Sequence, residues 1–129
     1  MNIHEEAFVK AFVKTTRQDR FLSLLSTSRK RRKFIDEFNH LRQNFLAPEF
    51  MTVLCGKQSL PPSVYETLRK MGAPERCWVM GGRFDGEERE LLEALQGSGD
   101  GVALSCIPGK LAYLKTEDDE YILHRGHNE

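Results

Sequence analysis

Apolar residues recur at helical spacing through the first third of the chain. Ile3, Ala7, Phe8, Ala11 and Phe12 form one such stripe, with Glu5, Glu6, Lys10 and Lys14 on other faces. A second helix is predicted over Arg17–Ser26, carrying Phe21, Leu22, Leu24 and Leu25. Thr16 would cap it, and Asp19 would sit in its first turn. A third begins after Ser26-Thr27-Ser28, with Phe34, Ile35, Phe38, Leu41 and Phe45 as its stripe. Ala47-Pro48 closes this region.

The pattern then shortens. Met51–Cys55 is an apolar run ended by Gly56, which predicts a buried strand. Pro61-Pro62 suits the first turn of a helix whose stripe is Leu60, Val64, Leu68 and Met71, and Gly72-Ala73-Pro74 stops it. Cys77–Met80 is the next strand, ended by Gly81-Gly82. Asp85 and Glu88 match a capping box for a helix running through Leu91, Leu92 and Leu95. Val102–Ile107 and Lys110–Lys115 flank Pro108-Gly109, a pair suited to a type II turn, and the acidic turn Thr116–Asp119 leads to Glu120–His124. These three strands predict an antiparallel meander, and Gly126–Glu129 reads as a fraying tail.

The order implies an α+β fold: N-terminal helices followed by a mixed β-sheet ending in an antiparallel meander. Its two β-α-β steps would be right-handed crossovers. The 129 residues suit one domain, with a helical part, 1–47, packed on an α/β part, 50–125. Asn44–Met51 is the one candidate boundary. A chain of this length can fold without metal or disulfide. Its composition, 40% hydrophobic and 29% charged, excludes a collagen-like repeat or a long disordered chain. No apolar run is long enough to span a membrane. Glu5 and Glu6 interrupt what a secretory signal would need, so a cytoplasmic location is expected. Cys55, Cys77 and Cys106 are odd in number and lie in apolar stretches, which predicts reduced, buried thiols.

Net charge is zero but unevenly placed. Residues 1–50 hold ten Lys/Arg against six Asp/Glu, and residues 51–129 hold nine against thirteen. The run Arg29-Lys30-Arg31-Arg32-Lys33 concentrates the positive surplus in the first turns of the third helix. Cations there oppose the helix dipole, and an acidic protein surface or nucleic acid would turn that cost into a gain. The plainer reading is a solvated face. No helix-turn-helix, zinc-finger or ribonucleoprotein pattern accompanies the run.

Other candidates are weaker. Gly56 and Lys57 with Gly81, Gly82 and Arg83 would line a crevice if the ends of the two central strands share an edge. The Gly81-Gly82-Arg83 turn could face a phosphate, but it lacks both glycine-rich phosphate patterns, and Asp85, Glu87, Glu88 and Glu90 would repel one. Cys106 is the nearest candidate nucleophile, with His4, His40 or His124 as its base. Alternation puts it on a face with Val102 and Leu104, which favours a core thiol. His124 and His127 lack the further ligands that structural zinc needs, so no metal or other cofactor is expected. His40 is placed to pair locally with Asp36.

The runs Glu6-Ala7-Phe8, Arg20–Leu25, Arg31–Phe34, Gly72–Cys77 and Leu104–Tyr113 resemble an uncharacterised group of small bacterial cytosolic proteins. That resemblance implies a shared fold and a bacterial cytosolic origin, and supplies no active site. The expected function is a non-catalytic binding or regulatory module that uses the basic helix start. One alternative is a small enzyme or small-molecule binder at the Gly56/Gly81 strand ends. Another is a self-associating structural subunit built on the phenylalanine-rich helices.

Overall fold

The meander organises the sheet. Strands Val102–Ile107 (β4), Leu111–Lys115 (β5) and Glu120–His124 (β6) pair in sequence order, each antiparallel to the last. Gly109 takes the left-handed conformation (φ +71°) that the first turn requires, and Lys110 N–H donates to Ile107 O across it at 2.9 Å. Met51–Leu54 (β1) adds to β6, and Arg76–Met80 (β2) adds to the far side of β4. Glu88–Glu90 (β3) returns against β2. The order is β1-β6-β5-β4-β2-β3, and every pairing is antiparallel. The computed structural model describes residues 2–40 and 45–126, with only the backbone described at 38–40. Expectations resting on the side chains of Phe38 and His40, and on Leu41, Asn44 and the 127–129 tail with His127, lie outside those residues.

Helices cover both faces. Ile3–Phe12 (α1), Gln18–Leu24 (α2) and Ser28–His40 (α3) lie on one side. Their Phe8, Phe12, Phe21, Leu24 and Phe34 join Phe45 against Met80, Ala103, Ala112, Leu114 and Leu123 of the sheet. Pro61–Lys70 (α4) and Leu91–Gly97 (α5) cover the other side, where Val64, Leu68, Leu91 and Ala94 meet Val79, Leu104, Cys106 and Tyr113. Burial on both faces explains why β4 lacks a polar row: its first five residues are buried.

The α+β architecture, the N-terminal helices and the closing meander are as the sequence implies. Several details differ. The sheet is antiparallel throughout rather than mixed, because β3 turns the chain back so that β4 runs opposite to β2, and β1, which runs the same way as β2, adds to the far side of the meander. The capping box at Asp85 is a turn. Residues 88–90 form a charged strand, and α5 starts only at Leu91, after Glu90. Thr16 lies inside a 3-10 turn, Thr15–Arg17, and does not cap α2, whose N-cap is Arg17. The buried stripe of α1 is Glu5, Phe8, Val9 and Phe12, while Ile3 is 70% exposed.

The carbonyl end of α1 is closed by distant side chains. Gln18 Nε2 donates to Lys10 O and Val13 O, at 3.2 and 3.0 Å, and Arg125 Nη1 donates to Ala11 O at 3.1 Å. The outer edge of β1 is blunted in a similar way. Met51 N–H is taken by Pro48 O, and Cys55 N–H by Gln58 Oε1 at 3.3 Å. Strand alternation then leaves Val53 as the residue whose backbone faces outward there. β1 is therefore an exposed edge strand, not the buried one expected from its composition.

Two glycines in the β2–β3 connection separate conformation from crowding. Gly81 and Gly86 both have positive φ, +94° and +78°. A Cβ on Gly81 would lie 2.3 Å from Gly101 O, whereas one on Gly86 would meet nothing within 4 Å. Gly86→Ala should cost about 1–2 kcal/mol from backbone strain alone. Gly81→Ala should cost clearly more, read as the larger loss of urea-unfolding midpoint.

Candidate functional site

Helix α3 is capped by Thr27, whose Oγ1 accepts Lys30 N–H at 3.2 Å. From that start, helical geometry divides the basic run. Arg31 lies three and four residues before Phe34 and Ile35, so it shares their inward face. Arg29 and Lys33 point the opposite way, with Lys30 and Arg32 between. All four of these are exposed, and none pairs with a carboxylate among the described residues.

Arg31 has a different role. Its Nη1 donates to Glu5 Oε1 at 2.7 Å, and its Nε and Nη2 fork onto the two carboxylate oxygens of Asp85, at 3.2 and 2.6 Å. Glu5 Oε2 accepts from Trp78 Nε1 at 2.8 Å, and Asp85 Oδ1 accepts Gly81 N–H at 2.7 Å. One guanidinium thus ties α3 to α1, to β2 and to the turn after β2. Burial works to lower its pKa, but the hydrogen bonds it donates to Asp85 and Glu5, with their negative charge, outweigh that and raise it. The five-residue run is therefore four surface cations around one structural one.

A second polar cluster lies at the other end of β2. His4 stacks on Trp78, with ring planes 10° apart and centroids at 6.4 Å. Its Nδ1 is 2.7 Å from Ser105 Oγ, a hydroxyl that is otherwise buried in the sheet. A cleft of about 430 Å³ opens beside it, bordered by His4, Pro74, Arg76, Cys77, Glu88 and Cys106. Cys106 thus shares a cleft with an imidazole and a carboxylate, but its chemistry is wrong for a nucleophile. Its thiol is buried, lies 3.9 Å from Leu104 O and has its pKa raised by desolvation. The His4 ring is engaged with Ser105 instead. Cys77 is pushed up to about 12 by the same burial. Cys55 is exposed, contrary to the expectation of three buried thiols, because it ends an edge strand.

The glycine crevice is not assembled. β1 and β2 run in the same direction, yet three strands separate them. Gly56 and Lys57 therefore lie roughly 19 Å across the sheet from Gly81, Gly82 and Arg83, at four strand spacings. Lys57 borders a shallow cleft with Gln58, Ser63 and Glu66. Arg83 borders a separate cleft of about 510 Å³ with Phe84, Arg89 and Glu93. There Arg89 stacks on Phe84 at 4.1 Å and is paired with Glu87 and Glu93. Cys106 stands at the opposite end of β4 from Gly81. Among the described residues no group of His, Cys, Asp and Glu converges as a metal site would. No family model, curated protein or solved structure matches the chain.

Sequence reasoning missed the partners of Arg31. The signal was present in the spacing: Glu5 precedes Phe8, Val9 and Phe12 by three, four and seven residues, and Arg31 is in phase with Phe34 and Ile35.

Removing Arg31 would strand two carboxylates, one of them almost fully buried. Arg31→Met should cost about 3–5 kcal/mol in urea unfolding, while Arg32→Met should stay within about 0.5 kcal/mol. Arg31→Lys should recover only part of the loss, since an ammonium cannot fork onto Asp85.

His4 is held below its ordinary value of 6.5 by burial, with Glu88 opposing weakly. Between the lowered folded value and 6.5 the unfolded chain binds more protons, so stability rises with pH across that window. His4→Gln should flatten that part of the stability–pH curve and leave the slope above pH 7 unchanged.

Proposed function

We propose that this chain is a non-catalytic binding module that receives an acidic protein surface on Arg29, Lys30, Arg32 and Lys33. The observation that carries this reading is the division of labour in the run. Arg31 is consumed by the fold, while its four neighbours remain exposed cations without acidic partners among the described residues. They sit on the first turns of a helix, where the dipole disfavours them by about 0.3–1 kcal/mol each until an anion arrives. The Arg31 contacts anchor that helix to the sheet, so the cations are presented on a fixed support rather than a loop.

Nucleic acid fits less well. The four cations span about 6 Å along the helix axis at 1.5 Å per residue. Strongly salt-dependent DNA binding draws on about 6–10 phosphate contacts. A compact acidic segment of a protein matches four clustered charges better. The unpaired thiols are suited to a reducing compartment, and a cytoplasmic setting is part of the same proposal.

The test is fluorescence anisotropy with a labelled oligo-glutamate peptide and a single-stranded oligonucleotide of equal charge. The peptide should bind more tightly, and its affinity should fall at least tenfold between about 50 and 500 mM salt. Arg29→Glu, Lys30→Glu, Arg32→Glu and Lys33→Glu together should abolish peptide binding with the unfolding midpoint unchanged. Unaltered peptide binding in that variant would remove the basic run from the function. Tighter binding of the oligonucleotide would replace the protein partner with nucleic acid.

A further inference from the structure

The carboxylates that balance the basic run lie at the same end of the molecule. Arg31 grips Asp85, in the turn after β2. In that turn Gly81 abuts Gly101 O, and Gly101 N–H donates to Lys115 O at 2.8 Å. Lys115 ends β5, and the next four residues are the turn Thr116–Asp119. The start of α3, the β2–β3 connection and the β5–β6 turn are therefore linked side by side along one edge of the fold. That turn exposes Glu117, Asp118 and Asp119, and Asp100 is exposed beside Lys115, 3.7 Å from its Nζ. The turn is shaped by Thr116, whose Oγ1 accepts Asp118 and Asp119 N–H at 3.2 and 3.0 Å, so its carboxylates are held outward.

Four exposed cations and the exposed carboxylates of Asp118 and Asp119 thus share one end, with no ion pair between the two sets among the described residues. We infer that the acidic surface received by the basic run is the β5–β6 turn of a second copy of this chain. This rests on the proposed function and names its partner. The geometry favours closure. Because both patches occupy the same end, a two-fold axis between two copies brings each basic run against the other's acidic turn, and both contacts form together. A head-to-tail arrangement would instead need the patches on opposite ends. Zero net charge removes the long-range repulsion that would otherwise oppose two identical molecules.

Charge reversal tests this by sedimentation equilibrium. The wild-type chain at about 50 mM salt should rise with concentration toward twice the monomer mass, and return to monomer at about 500 mM. One variant carries Arg29→Glu, Lys30→Glu, Arg32→Glu and Lys33→Glu. A second carries Asp118→Lys and Asp119→Lys. Each has two patches of one sign, so each alone should be monomeric at every concentration. Mixed in equal amounts they should form a heterodimer, since each patch then meets its opposite. The salt response of the wild type needs no substitution and guards against a variant that folds poorly.

A wild-type chain that stays monomeric at low salt would overturn the inference, as would a homodimer persisting in either variant. A mixture of two folded variants that fails to associate would do the same. If oligo-glutamate still binds the wild type in those cases, the acidic-partner reading stands and only the identity of the partner falls. If the peptide does not bind either, both fall together.

Discussion

The fold turns on one guanidinium. Arg31 donates to Glu5 on α1 and to Asp85 in the turn after β2, while those carboxylates also accept from Trp78 and Gly81. Such a cluster costs desolvation, and its return depends on every donor and acceptor being matched. Here the matching is nearly complete: the guanidinium fork takes both Asp85 oxygens, and Glu5 uses both of its own. The helical layer is seated on the sheet by phenylalanine packing, which is nondirectional, and by this contact, which is directional. Packing alone would let α3 rotate or slide, whereas the fork admits one azimuth. That azimuth decides which four cations face water.

The same logic separates the two polar clusters. The Arg31 cluster joins charged groups that neutralise each other and reaches the surface as a basic face. The His4 cluster joins an imidazole whose pKa burial lowers to a hydroxyl that would otherwise be orphaned in the sheet. His4 therefore completes Ser105 as much as it borders a cleft. The thiols nearby are raised in pKa by the same apolar surroundings, which makes them less reactive. A cleft lined by histidine, cysteine and glutamate resembles a catalytic site by composition, but burial raises the pKa of both of its thiols.

Much of the architecture was legible in the chain because apolar periodicity reports burial directly. The inward Phe34 and Ile35 of α3, the buried Val64 and Leu68 of α4 and the meander around Pro108-Gly109 follow from it, while Leu60, counted in the α4 stripe, is exposed. What was hidden has identifiable causes. Glu88–Glu90 is a strand with no apolar side chain, stabilised by pairing and by the Arg76–Glu88 contact at 2.6 Å, so periodicity could not find it. Missing it turned a hairpin into a helix cap and an antiparallel sheet into a mixed one. Glu5 was read as solvent-facing because it is charged, although its spacing from Phe8, Val9 and Phe12 put it inside. Arg31 was grouped with its neighbours by charge, although phase set it apart. In both cases the periodicity was right and the residue type misled.

The rims of the sheet have a consequence for how the chain can meet others. At one margin, the amides at the two ends of β1 are claimed locally by Pro48 and Gln58, which leaves Val53 alone facing outward between them; at the other, β3 is three residues long with an acidic residue at each end. Neither offers a run of free amides on which a further strand could template, so accretion into fibrils lacks a starting ladder. Assembly is thereby steered away from backbone pairing and toward side-chain contacts, which salt and pH can reverse.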